Sequence, residues 1–206
     1  MATIRSNLRF LAILSTGALA ILLIFFSPQE KTLGPVVKLV YAHAALMWVG
    51  LILYTIAALS AGIFMFSKKN TFWFWGEWAQ KVATFTFFAT FLLGLFTAKL
   101  AWGAVFWGEP RFRMLIIMIF FSVALFPAYS IGGKTRVVAS LVVLAAIAVW
   151  IFLIRTELVF HPRSPILSSE SLEIKIFPFL IAAVFLALAL QIVTLFGHRS
   201  ARKNRK

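Results

Sequence analysis

Residues 36–67 read VVKLVYAHAALMWVGLILYTIAALSAGIFMFS, a run broken by a single charged residue, Lys38. A helix needs about 20 mostly apolar residues to cross the hydrocarbon core of a bilayer. This run exceeds that length, enough to tilt or to project beyond the membrane. Pro35 opens it, at a position where a missing N–H costs a helix nothing. Working outward, five more stretches qualify as spans: 10–27, 82–106, 114–132, 137–154 and 174–196. The chain therefore reads as an all-α integral membrane protein with six transmembrane helices. Residues 1–197 form one membrane domain and 198–206 a basic tail. Arg5 and Arg9 give the first span the look of a signal peptide. Its apolar run is longer than the usual signal core and no small-residue cleavage site follows closely, so a retained helix is expected.

Composition points the same way. The 206 residues are 62% hydrophobic and 13% charged, against about 45–50% and about 25% in soluble domains. There is no Asp, and the six Glu are scattered, which argues against a paired-carboxylate hydrolase. No Cys is present, so disulfides, thiolate metal sites and thiol nucleophiles are excluded. In a chain this apolar, the net charge of +14 is better read as span-flanking residues meeting anionic headgroups than as a nucleic-acid footprint. No internal repeat and no matched pair of Gly/Pro-broken helices supports a small-anion transporter, and Pro127 and Pro178 read as single kinks.

The Lys/Arg bias sets orientation. One side collects Arg5, Arg9, Lys68, Lys69, Lys81, Lys134, Arg136 and the tail HRSARKNRK, twelve basic residues against one Glu. The other side holds eight basic residues and five Glu. Both termini are expected to be cytoplasmic, with the connections around 28–35, 104–113 and 156–173 facing outward.

Two of the three histidines share that outer side. His43 lies in YAHAALMW, inside the second span, and His161 in LVFHPRS, after the fifth. His198 begins the tail and reads as a flanking polar residue. A titratable side chain inside a span is expensive unless it faces the bundle interior or a partner. Two imidazoles facing a common space suit the axial positions of a haem iron, or two ligands of a zinc or copper site. The plain alternative is an interhelical hydrogen bond from His43, with His161 an interfacial loop residue. Zinc would want further ligands, whereas a porphyrin already supplies four nitrogens. The outer stretch KLAWGAVFWGEPRFRML, residues 99–115, carries Trp102-Gly103, Trp107-Gly108, Arg111 and Arg113. Indoles stack on flat apolar plates, Gly admits close approach and guanidinium groups pair with carboxylates. Its alternative reading is an aromatic belt. A second cluster, FWFWGEWAQK with Trp73, Trp75 and Trp78, reads as such a belt on the cytoplasmic side. Lys99 is read either as snorkelling outward or as joining a propionate site, and Arg155 and Arg163 as weaker candidates of the same kind.

These residues resemble the CcmC haem-handling proteins of cytochrome c maturation. Tyr41, His43 and Trp48 approximate the family's Tyr-x-His element, with Ala44 and Ala45 in place of Val-Pro. Trp102, Gly103, Trp107 and Gly108 keep the first half of its Trp-rich loop at the family spacing, after which Glu109 and Pro110 lead directly to Arg111. The resemblance implies non-covalent haem b with His43 and His161 as axial ligands. It implies a platform of Trp48, Trp102, Gly103, Trp107 and Gly108, and propionate contacts from Arg111 and Arg113. It also implies haem delivery for c-type cytochrome biogenesis beside a haem chaperone and ABC transporter subunits, or to an apocytochrome. Such a protein is an assembly or transport factor rather than a classical catalyst. The competing expectation is a structural or partner-binding subunit that has lost haem binding.

Overall fold

A computed structural model describes residues 2–156, 166 and 169–203, with the side chains of 7–156, 166 and 169–200. Six helices follow in order: α1 (Ala2–Phe26), α2 (Val37–Ser67), α3 (Asn70–Trp102), α4 (Pro110–Gly132), α5 (Arg136–Arg155) and α6 (Leu172–Lys203). All six are long and apolar enough to cross a membrane. Among the described residues the only β-pairing is an isolated bridge between Glu30 and Gly34. This is what a bilayer-spanning chain requires, because each helix satisfies its own backbone N–H and C=O groups.

Local chemistry sets the helix ends. α2 stops where Lys68 turns left-handed and its N–H bonds the Phe64 carbonyl at 2.9 Å. α3 stops at Gly103, whose φ of +75° is open to glycine and strained for most residues. Pro110 occupies the first turn of α4, and the Thr135 hydroxyl accepts from the Val138 N–H to start α5. The short connections make successive helices antiparallel. One end of the bundle, here the terminal end, holds the start of α1, the α2–α3 and α4–α5 turns and the end of α6. The opposite end, here the loop end, holds the 27–36 and 103–109 connections, the close of α5 and the start of α6.

The six expected spans are recovered, α1 and α6 running several residues further at the terminal end and α3 showing the largest displacement. α3 begins at Asn70, a dozen residues before the apolar run that marks it in the sequence. The Trp-rich segment is helical, with Trp73 in the core and Trp75 and Trp78 half-buried against it. Trp73 is buried, with its ring 5.0 Å from Phe64 and 5.6 Å from Tyr129, and Trp78 stacks on Phe196 at 4.6 Å. Pro127 and Pro178 lie within continuous helices.

α2 and α3 form the centre of the bundle, and their backbones come close. A Cβ on Gly50 would stand 2.5 Å from the Phe87 ring, so only glycine lets that ring seat against α2. Interhelical hydrogen bonds join the rest. Gln80, fully buried in α3, donates to the Ser122 carbonyl of α4 at 2.8 Å. Trp150 of α5 donates to Thr55 of α2, Trp78 of α3 to Ser200 of α6, and Gln191 of α6 to Thr16 of α1. In apolar surroundings each such bond contributes about 0.6–2 kcal/mol. α1 is the least embedded helix, resting chiefly on α6.

Candidate functional site

His43 is the seventh residue of α2, so its Cα lies about 9 Å along the helix from the loop end at about 1.5 Å per residue. Its ring is half-buried against α3. Nδ1 lies 3.0 Å from the Thr90 carbonyl oxygen. A carbonyl only accepts, so Nδ1 carries the proton, and in the neutral imidazole the lone pair belongs to Nε2. A backbone or carboxylate acceptor on the second nitrogen is the arrangement that orients metal-binding imidazoles. Gly94, one turn beyond Thr90, makes room for the ring: a Cβ there would lie 2.9 Å from Cε1 and 3.2 Å from Nδ1. Thr90 is itself fixed, fully buried with its hydroxyl donating to the Thr86 carbonyl.

From Gly94, α3 runs eight residues, about 12 Å, to Trp102 at its loop end. Trp102 is half-buried. The Gly103 N–H bonds the Lys99 carbonyl at 3.0 Å, and the Lys99 ammonium donates to the Gly103 carbonyl at 2.9 Å. Lys99 thus closes its own helix end. The loop then turns on a bond from the Glu109 N–H to the Phe106 carbonyl, and the Glu109 carbonyl accepts from the Arg113 N–H to begin α4. Trp107 is 62% exposed, yet it is anchored. Its ring meets Phe112 edge-on at 5.4 Å, and Phe112 stacks on Phe91 of α3 at 5.1 Å. Arg113 Nε donates to the Trp107 carbonyl at 3.4 Å, and the side chains of Arg111 and Arg113 are exposed. Gly108 lies beside the Arg113 guanidinium.

The fold therefore gathers Trp102, Gly103, Trp107, Gly108, Arg111 and Arg113 into one turn at the same end as His43. Trp48 is not gathered with it. Five residues along a helix is a rotation of about 140°, and Trp48 lies exposed while His43 faces α3. Arg155 closes α5 with an exposed side chain at the loop end. His161 and Arg163 lie outside the described residues. Among the described residues no group of three or more His, Cys, Asp or Glu could hold a metal ion.

Sequence reasoning missed Thr90 and Gly94, and it missed that Glu109 is buried within an otherwise exposed loop. A second loop-end carboxylate, Glu30, is engaged by its own turn. It accepts from the N–H groups of Thr32 and Leu33 at 2.8 and 3.0 Å and from the Thr32 hydroxyl at 3.1 Å. Desolvation, the largest single influence on Glu30, pushes its pKa up. The bonds from Leu33, Thr32 and Lys31 together outweigh it and hold the carboxyl below its ordinary value.

The chain is similar to a cytochrome c biosynthesis CcmC-like mitochondrial protein of Marchantia polymorpha. Identity is 30% over 105 residues, which is 50% of this chain and 46% of that relative. The chain thus spans about half the length of the curated relative it matches. No protein-family model matches the sequence.

Proposed function

We propose that this protein binds haem and hands it on during c-type cytochrome maturation, at the outer face of a bacterial inner membrane and with both termini cytoplasmic. His43, through Nε2, and His161 would be the residues that hold the iron. Trp102 and Trp107 offer indole faces to the porphyrin, and Arg111 and Arg113 pair with its propionates. The observation that carries this reading is the His43–Thr90 bond, which commits Nδ1 as donor and gives Nε2 the character of a ligand. The donor chemistry fits a haem. It includes a tautomerically fixed imidazole, an exposed indole and two exposed guanidinium groups at one end of the bundle. The similarity to a cytochrome c biosynthesis protein adds the maturation context.

Haem, when bound, supplies the redox-active iron and an apolar plate with two carboxylates. The chain's own residues orient it, hold His43 in one rotamer against Gly94, and keep the loop seated through the Trp107–Phe112–Phe91 contacts. A haem chaperone, ABC transporter subunits or an apocytochrome would take part as partners. The test is the visible spectrum of the full chain purified with haem. His43→Ala and His161→Ala should each diminish or shift the Soret band, and an unchanged band in both would remove these residues as ligands.

A second reading draws on the same bond. His43 to Thr90 is also an interhelical contact, and a structural subunit needs nothing more from it. That reading expects His43→Ala to lower thermal stability with no cofactor spectrum to lose.

A further inference from the structure

At the terminal end, α1 and α6 do not close on one another completely. A cavity of about 140 Å³ lies between them, lined by Arg9, Ala12, Ile13, Gln191, Thr194 and His198. The hydrogen bond from Gln191 Nε2 to the Thr16 hydroxyl, at 3.0 Å, ties the two helices together beside it. Arg9 and His198 are exposed and lie near the ends of the two apolar stretches long enough to cross a membrane. No carboxylate lines the cavity.

We propose that this seam is a binding site for the phosphate of an anionic phospholipid. Three observations point to that ligand. First, Arg9 and His198 bring a guanidinium and an imidazole to one small cavity with no acidic partner in its lining, and a phosphate oxygen accepts from both. Second, the whole terminal end is short of acid. Among the described residues ten Lys and Arg belong to that end against a single Glu, and that residue, Glu77, pairs with Lys81 at 2.5 Å. Such an excess draws anionic headgroups, by about 1 kcal/mol per basic residue near the surface. Third, α1 offers apolar surface next to the cavity. Phe10, Leu11 and Leu14 are all exposed, so acyl chains attached to a phosphate in the seam would lie against lipid-facing side chains. A free phosphate would use the first two features and not the third. Occupancy would add a contact between the least embedded helix and the rest of the bundle. The inference stands apart from the haem reading, since it uses the opposite end of the molecule.

The test is native mass spectrometry of the full chain in neutral detergent, with phosphatidylglycerol, phosphatidylcholine or inorganic phosphate added. Phosphatidylglycerol should be retained over phosphatidylcholine by at least about fivefold, equivalent to about 1 kcal/mol. The Arg9→Gln/His198→Gln double variant should lose that preference. Both side chains are exposed, so the change removes no core packing. Ala12→Phe, which fills the cavity and keeps every charge, should lose it as well. Arg136→Gln, also exposed at the terminal end but absent from the cavity lining, should retain it. Three outcomes would overturn the proposal: undiminished retention in Ala12→Phe, equal retention of the two lipids, or displacement of the lipid by an equal concentration of inorganic phosphate.

Discussion

Trp73 and Trp107 come from two tryptophan clusters of similar composition at opposite ends of the bundle. At the terminal end, Trp73 is 5% exposed and wedged between Phe64 and Tyr129, while Trp78 lies on Phe196 and donates to Ser200. At the loop end, Trp107 is held by its edge contact with Phe112 and leaves most of its surface open. One cluster is consumed by packing and the other is presented. The difference lies in what surrounds each. Trp73 and Trp78 sit within α3 with α2, α4 and α6 around them. Trp107 follows the break at Gly103, where the chain has left the helix and neighbours on one side only remain.

That contrast can be broken by substitution, and the largest effect belongs to the packed end. Trp73→Ala should lower the stability of the purified protein by about 3–5 kcal/mol, seen as a large drop in melting temperature, because it opens a cavity in the core. Trp107→Ala should cost about 1 kcal/mol or less, the worth of one aromatic pair. It should weaken haem binding instead. Equal losses of stability in the two variants would erase the distinction between packed and presented tryptophan.

Gly94→Ala comes next. Its Cβ would press on the His43 ring at 2.9 Å and push the ring off the Thr90 carbonyl. Haem affinity in titration should fall by about tenfold or more, the scale of losing an orienting partner behind a metal ligand. Unchanged affinity would show that the ring's seat on α3 is irrelevant to binding. Arg111→Gln and Arg113→Gln should each weaken haem binding by about tenfold, for one charge-assisted hydrogen bond of about 1.5 kcal/mol, with little change in melting temperature.

Glu30 should give the smallest effect. Its carboxyl is held below the ordinary value of 4.5, so the turn it caps is fully supported above that value. The support is lost as pH falls through the lowered folded-state pKa. Protection of the Thr32 and Leu33 amides, taken relative to the intrinsic exchange rate at each pH, should fall on acidification and in Glu30→Gln, and no change in either would remove Glu30 as the cap.

How much of this was legible in the sequence follows from the length scale of each feature. The six helices could be read because a bilayer demands long apolar runs, and nothing competes with that signal. The start of α3 was hidden, because Gly76, Glu77, Gln80 and Lys81 dilute its hydropathy. Its burial comes from Phe64, Tyr129 and Phe196, far away along the chain. His43 stood out as a titratable residue in a span, but its seat did not. Thr90 contributes a backbone carbonyl, which carries no sequence signal, and Gly94 contributes an absence of side chain 51 positions away. The shared turn of Trp102, Trp107 and the two arginines was legible because those residues are local. The separation of Trp48 from His43 is helical arithmetic that a motif match passes over.

The central claim is that His43, fixed by Thr90 and Gly94, presents Nε2 to a haem iron. The most direct measurement is the absorbance spectrum of the haem-loaded full chain beside that of His43→Ala at matched protein concentration. A Soret band that shifts or collapses in the variant, while the helical circular-dichroism signal persists, is the predicted result. A Soret band identical in position and intensity in the two proteins would contradict it.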